Sequence, residues 1–87
     1  MPTYIVESYL TQRHAELLAE TGTRLGRAAD ELSHAGSGVR YERWEFLPGD
    51  ELCLYFFEAE SADAVKQCLD RAALTCERIV ETVSSRG

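Results

Sequence analysis

The stretch Val39-Arg40-Tyr41-Glu42-Arg43-Trp44-Glu45-Phe46-Leu47-Pro48-Gly49-Asp50-Glu51-Leu52-Cys53-Leu54-Tyr55-Phe56-Phe57-Glu58-Ala59 decides how the rest of the chain is read. Two runs rich in strand-favouring residues flank Pro48-Gly49-Asp50-Glu51, where Pro presets φ and Gly tolerates unusual values. The spacing predicts a β-hairpin of strands 39–47 and 52–59. Upstream, residues 3–10 read as a strand, and Thr11 is a helix N-cap candidate. A helix is expected from there to about His34, its buried stripe running His14, Leu18, Thr21 or Gly22, Leu25, Ala28 or Ala29, and Leu32. Gly22 and Gly26 sit on or beside that stripe and are read as points where the helix approaches a sheet closely, with a kink as the alternative. Ala35-Gly36-Ser37-Gly38 ends it. Downstream, Ser61 is an N-cap for a shorter helix with Val65, Cys68, Leu69 and Ala72 buried, ending near Leu74. Residues 77–84 form a last strand.

The order β-α-β-β-α-β defines an α+β, ferredoxin-like sandwich: a four-stranded antiparallel sheet with two helices on one face. Side chains alternate along a strand, so Leu52, Leu54 and Phe56 face one way and Cys53, Tyr55 and Phe57 the other. If the hairpin pairs Leu47 with Leu52, Phe46 lies beside Cys53 and Trp44 beside Tyr55. Both faces of strand 52–59 are then apolar, and two helices cover only one. The expectation is an open face carrying Trp44, Phe46, Cys53, Tyr55 and Phe57, buried by a second copy in a dimeric α/β-barrel-like assembly. One feature opposes this register. Arg43 and Glu45 would point at the helices, so a slip or a bulge in strand 39–47 is the alternative.

Composition bounds the rest. Eighty-seven residues allow one domain, read as 1–84 with a frayed tail at 85–87. The longest uninterrupted apolar run is residues 52–57, far short of the ~20 a helical membrane crossing needs. A net charge of −6 disfavours nucleic acid and anionic membrane surfaces as partners. The first eleven residues lack the basic and apolar regions of a secretory leader, and three cysteines without a CxxC pair argue against a disulfide framework. Both point to a cytoplasmic location.

Three segments carry a family resemblance. They are Met1-Pro2-Thr3-Tyr4-Ile5-Val6-Glu7, then Val39-Arg40-Tyr41 leading into Phe46-Leu47-Pro48-Gly49-Asp50-Glu51-Leu52-Cys53, and Phe57-Glu58-Ala59-Glu60-Ser61-Ala62-Asp63-Ala64-Val65 followed by Glu77-Arg78-Ile79-Val80-Glu81. Together they resemble a family of small, mostly uncharacterised bacterial proteins common in actinomycetes, which includes a nickel-binding ferredoxin-like protein. The resemblance implies the same fold, a dimer and, in that branch, nickel held largely by histidines. This chain departs from the pattern, with Tyr55 and Cys68 where relatives often carry His.

Metal binding needs converging donors, with His or Cys suited to nickel or zinc. His14, on the expected buried stripe, and Cys53, on the aromatic strand face, are the candidate ligands. His34 in a last helical turn is explained by the helix dipole, Cys68 by core packing, and Cys76 lies between elements as the more exposed thiol. For acid–base chemistry the candidates are Glu7 and Glu81, on strands expected to be neighbours. Their plain alternative is a rim carboxylate paired with Arg40, Arg43 or Arg78. An RNA-recognition surface is rejected, because the basic-Gly-aromatic signature is missing and Glu58 and Glu60 follow the aromatics. The leading expectation is a homodimeric binding protein for a small molecule or a divalent transition metal such as nickel. The rival is a small dimeric α/β-barrel enzyme, monooxygenase- or isomerase-like, acting on a hydrophobic small molecule between sheet and partner.

Overall fold

In the computed structural model, which describes residues 1–83, β1 (Thr3–Tyr9) runs through a 3₁₀ segment (Gln12–Leu17) into α1 (Leu18–His34). The hairpin follows as β2 (Val39–Leu47) and β3 (Leu52–Ala59), then α2 (Ala62–Arg71) and β4 (Arg78–Thr82). The sheet order is β2-β3-β1-β4, all antiparallel, with both helices on one face. This is the ferredoxin-like arrangement. The shortest extent of the molecule, 18 Å, is that of two packed layers. The tail at 85–87 and the last expected strand residue, Ser84, lie outside the described residues.

Local chemistry accounts for most boundaries. Ser61 caps α2 by accepting a hydrogen bond from the Ala64 amide at 3.2 Å. Both helices end in a Schellman motif. In α1 the amides of Ser37 and Gly36 donate to Leu32 and Ser33, and Gly36 has φ 99°. In α2 those of Leu74 and Ala73 donate to Leu69 and Asp70, and the left-handed residue is Ala73 at φ 57°. That motif stops α2 at Arg71, short of the Leu74 expected. In the hairpin turn the positive φ falls on Glu51 (49°), not on Gly49.

The start of α1 is the first departure. Thr11 is extended as expected of a cap, but its side chain makes no cap bond, and the next six residues are 3₁₀. The turn of the hairpin holds them: Glu51 accepts from the Gln12 amide at 3.1 Å, and the Gln12 side chain donates to the Pro48 carbonyl at 3.0 Å. A 3₁₀ turn has three residues rather than 3.6, so an α-helical stripe extrapolated back from Leu18 loses its phase. His14 consequently faces solvent.

The second departure concerns which face of the sheet is covered. The hairpin register is the one read from the sequence, with Leu47 opposite Leu52, Phe46 opposite Cys53 and Trp44 opposite Tyr55. A shift between Tyr41 and Arg43 leaves Glu42 as an extra residue. That bulge keeps Val39 and Tyr41 on the same face as Trp44 and Phe46. This aromatic face is the one under the helices, a correction to the expected open face: Cys53 and Phe57 are 0% exposed and Tyr55 2%. The reason is electrostatic and steric together. The opposite face carries Arg40, Arg43, Glu45, Glu58, Glu7 and Arg78, charges that would be costly to bury under helices. The helices in turn offer small residues to the aromatics. A Cβ built on Gly22 would sit 3.2 Å from both the Trp44 ring and the Tyr41 hydroxyl, so this glycine is the close approach that α1 requires.

Candidate functional site

The open face is ordered in rows that cross the sheet. Arg43 pairs with Phe56, Phe56 with Ile5, and Ile5 with Val80, giving one stripe over all four strands. Phe56, Ile5 and Val80 are half-buried by their neighbours, with no layer of the described residues above them, and the Arg43 guanidinium lies 3.9 Å from the Phe56 ring centre. A charged row flanks the stripe on either side. One is Arg40–Glu58–Thr3–Thr82, with Arg40 and Glu58 ion-paired. The other is Glu45–Leu54–Glu7–Arg78, with Arg43–Glu45 at 2.8 Å and Arg78–Glu7 at 3.0 Å.

The candidate bases therefore do not share a site. Glu7 lies on the open face against Arg78, and the bond between them raises the pKa of the guanidinium. This is the rim ion pair foreseen as the plain alternative. Glu81 pairs across to Tyr4 on the other face and stays exposed at the β4 edge. Nor do the candidate metal ligands converge. His14 shares a 2.9 Å hydrogen bond with Thr11 at the surface, whereas Cys53 is sealed between sheet and helices. Burial pushes the Cys53 thiol up and holds Cys68 at about 11, which keeps both protonated and poor as ligands or nucleophiles. Among the described residues no three His, Cys, Asp or Glu are placed to share a metal ion, so the donor set does not fit nickel within one chain. His34 donates from Nδ1 to the Asp30 carbonyl of its own helix at 2.7 Å.

Trp44, Phe46, Tyr55 and Phe57, expected to line a ligand pocket at the open face, are instead packing between the layers. Only Trp44, on the edge strand, reaches solvent appreciably, at 37%. The Tyr41 hydroxyl is buried there without a hydrogen-bond partner among the described residues, and burial pushes its pKa up to about 12. Tyr55 is raised by the same cause. No sequence signal marked Tyr41 as special, because its orphaned hydroxyl results from the bulge and from Gly22 on another element.

Two clefts open on the helix side. One, of about 410 Å³, lies between α2 and β4 with Leu69, Leu74 and Ile79 as its floor and Cys76 in its wall. The Cys76 thiol is also raised by burial, with Lys66 opposing. The other, of about 430 Å³, lies between the helices and is lined by Arg24, Arg27, Glu31 and Arg71 over Ala28 and Ala72. Sequence reading did not find it. The arginines are 44 residues or more apart across the two helices, and only the packing of α1 on α2 joins them.

The fold and the uncovered sheet face define the class, a ferredoxin-like α+β domain. No family model and no curated protein matches the chain. Among solved structures it is similar to the crystal structure of SCO4226 from Streptomyces coelicolor A3(2), with a TM-score of 0.71 and 19% identity over 95% of this chain and 98% of that one. The neighbour comes from an actinomycete, the group in which the sequence resemblance lies. At that identity the likeness carries the fold and nothing of the function. No helix among the described residues is long and apolar enough to cross a membrane.

Proposed function

We propose that the chain is a homodimeric binding protein whose two copies stack open face on open face and hold a small ligand between them. The observation that carries this is the uncovered stripe Arg43–Phe56–Ile5–Val80, bounded by two charged rows. Its charges suit a second copy of the same face. In the row Glu45–Leu54–Glu7–Arg78 the acid stands at the β2 end and an arginine at the β4 end. A twofold axis along the strands lays β2 of one copy over β4 of the other, bringing Glu45 against Arg78 twice. Apolar centre and polar rim are the anatomy of a specific interface. A divalent transition metal such as nickel enters this reading only as a ligand shared by two copies, since one copy does not assemble three donors among its described residues.

Sedimentation equilibrium tests the dimer. The expected mass is twice the 9.8 kDa of the chain, and Phe56→Glu, which places a charge in the stripe, is expected to sediment as a monomer. A monomeric parent protein would overturn the reading. Nickel titration of parent and variant then examines the ligand: a shared metal binds the parent and is lost from the variant.

A further inference from the structure

We infer that the groove between α1 and α2 is a binding site for the phosphoryl group of a small molecule. The chain carries a net charge of −6, yet this groove gathers three of its arginines, Arg24, Arg27 and Arg71, against one acid, Glu31. The sign of the local charge is therefore opposite to that of the molecule. Two of the guanidiniums are already held in place. Arg24 donates to the Ala72 carbonyl, and to that of Ala73 at 3.5 Å, at the C-terminal end of α2. Arg71 bonds Glu31 at 3.1 Å across the helices. Arg27 makes no ion pair or side-chain hydrogen bond among the described residues, so its guanidinium is not spent on the fold.

Each guanidinium has five N–H donors, and one or two anchoring bonds leave most of them for a guest. Arginines approaching from two helices suit a tetrahedral oxyanion, whose oxygens point in several directions. A carboxylate is planar and is satisfied by one guanidinium fork. The volume, about 430 Å³, is that of a small-molecule site. The acidic remainder of the molecule repels a polyanion such as RNA, so the guest is a metabolite-sized phosphate or diphosphate. Ala28 and Ala72, both buried, form the floor, and their short side chains leave room for it.

The test uses inorganic pyrophosphate as the probe, with acetate at matched ionic strength, followed by calorimetry and amide chemical shifts. Pyrophosphate is expected to saturate with a dissociation constant below about 1 mM, and acetate is not expected to saturate at ten times that level. Arg27→Gln is expected to weaken pyrophosphate binding about tenfold while leaving the melting temperature unchanged, because Arg27 holds nothing in the fold. Arg40→Gln, on the opposite face of the sheet, serves as the control and is expected to leave binding as it was. Shifted amides should cluster around Arg27, Ala28 and Ala72. No saturation by pyrophosphate, or equal weakening by the Arg27 and Arg40 substitutions, would overturn the assignment, the latter by showing only diffuse attraction.

Discussion

Tyr41 combines two properties that follow from one placement. Its ring packs edge-on to Phe57 with centroids 5.4 Å apart, while its hydroxyl is buried beneath α1 with no partner among the described residues. An unpaired buried hydroxyl loses its water without compensation, at a cost of about 1–3 kcal/mol. Tyr41→Phe is therefore expected to leave the protein as stable or up to about 1 kcal/mol more stable in urea unfolding. A loss of stability would mean that the hydroxyl is bonded after all. The pH dependence follows from the same burial. Tyr41 is raised from 10 to about 12 and Cys68 from 9 to about 11, so the fold favours their protonated forms. Their contribution is fully present below the unfolded pKa values and is lost as pH rises through the folded ones. The unfolding midpoint is expected to fall from about pH 9 to about pH 12, and less steeply in Tyr41→Phe. Ala73 carries backbone strain, with φ at 57°. It occupies the left-handed position of a Schellman motif that Gly36 fills in α1, and an L-residue pays about 1 kcal/mol there. Ala73→Gly is expected to stabilise by roughly 0.5–1 kcal/mol, measured by thermal unfolding, and Gly36→Ala to destabilise comparably.

At the scale of elements, α1 shows what a sequence reveals and what it conceals. Gly22 and Gly26 were legible as close-approach positions, but the two differ. A Cβ on Gly26 would meet Tyr41 at 3.9 Å, an ordinary contact, whereas one on Gly22 would press on Trp44 and Tyr41 at 3.2 Å. Gly26→Ala is expected to gain most of the ~1 kcal/mol of helix propensity, and Gly22→Ala to gain distinctly less. Equal gains in chemical denaturation would show that the contact at Gly22 relaxes without cost. The β2–β3 register next to the turn was legible too, because the turn is short and marked by Pro48 and Gly49. The facing was not. β3 is apolar on both sides, so its own pattern is neutral, and the decision lies with Arg43 and Glu45 on β2 and with Glu7 and Arg78 on strands far away in sequence. Arg43 and Glu45 were visible as misfits in the expected facing, and that objection was the correct signal. The 3₁₀ start of α1 was hidden for a different reason: Glu51 and Pro48, which hold Gln12, are 36 residues or more downstream. The placement of His14, Cys53 and the aromatics differs from the expected one for the same two causes. His14 lost its phase in the 3₁₀ segment, and Cys53 and the aromatics were assigned to the wrong layer.

For the whole molecule the question is whether a chain at −6 can meet a second copy of itself, as the proposed dimer requires. The open face is close to neutral, with Arg40, Arg43 and Arg78 set against Glu7, Glu42, Glu45 and Glu58, most of them already paired within the chain. The like charges that repel lie elsewhere, and the open face itself does not oppose contact with a copy. If association is coupled to folding, the melting temperature rises with protein concentration in the parent and not in Phe56→Glu. Orientation is the stricter test. With the twofold along the strands, Glu45 of one copy meets Arg78 of the other, so Glu45→Arg and Arg78→Glu alone each place like charges together. Each is expected to weaken the dimer about tenfold in sedimentation, as repulsive pairs at an interface do. Combined in one chain they exchange the charges and restore attraction across the interface, so the double variant is expected to dimerise more tightly than either single variant, although the within-chain pairs with Arg43 and Glu7 are lost. A double variant as weak as the sum of its parts would mean that the faces meet in another orientation, with Glu45 and Arg78 apart.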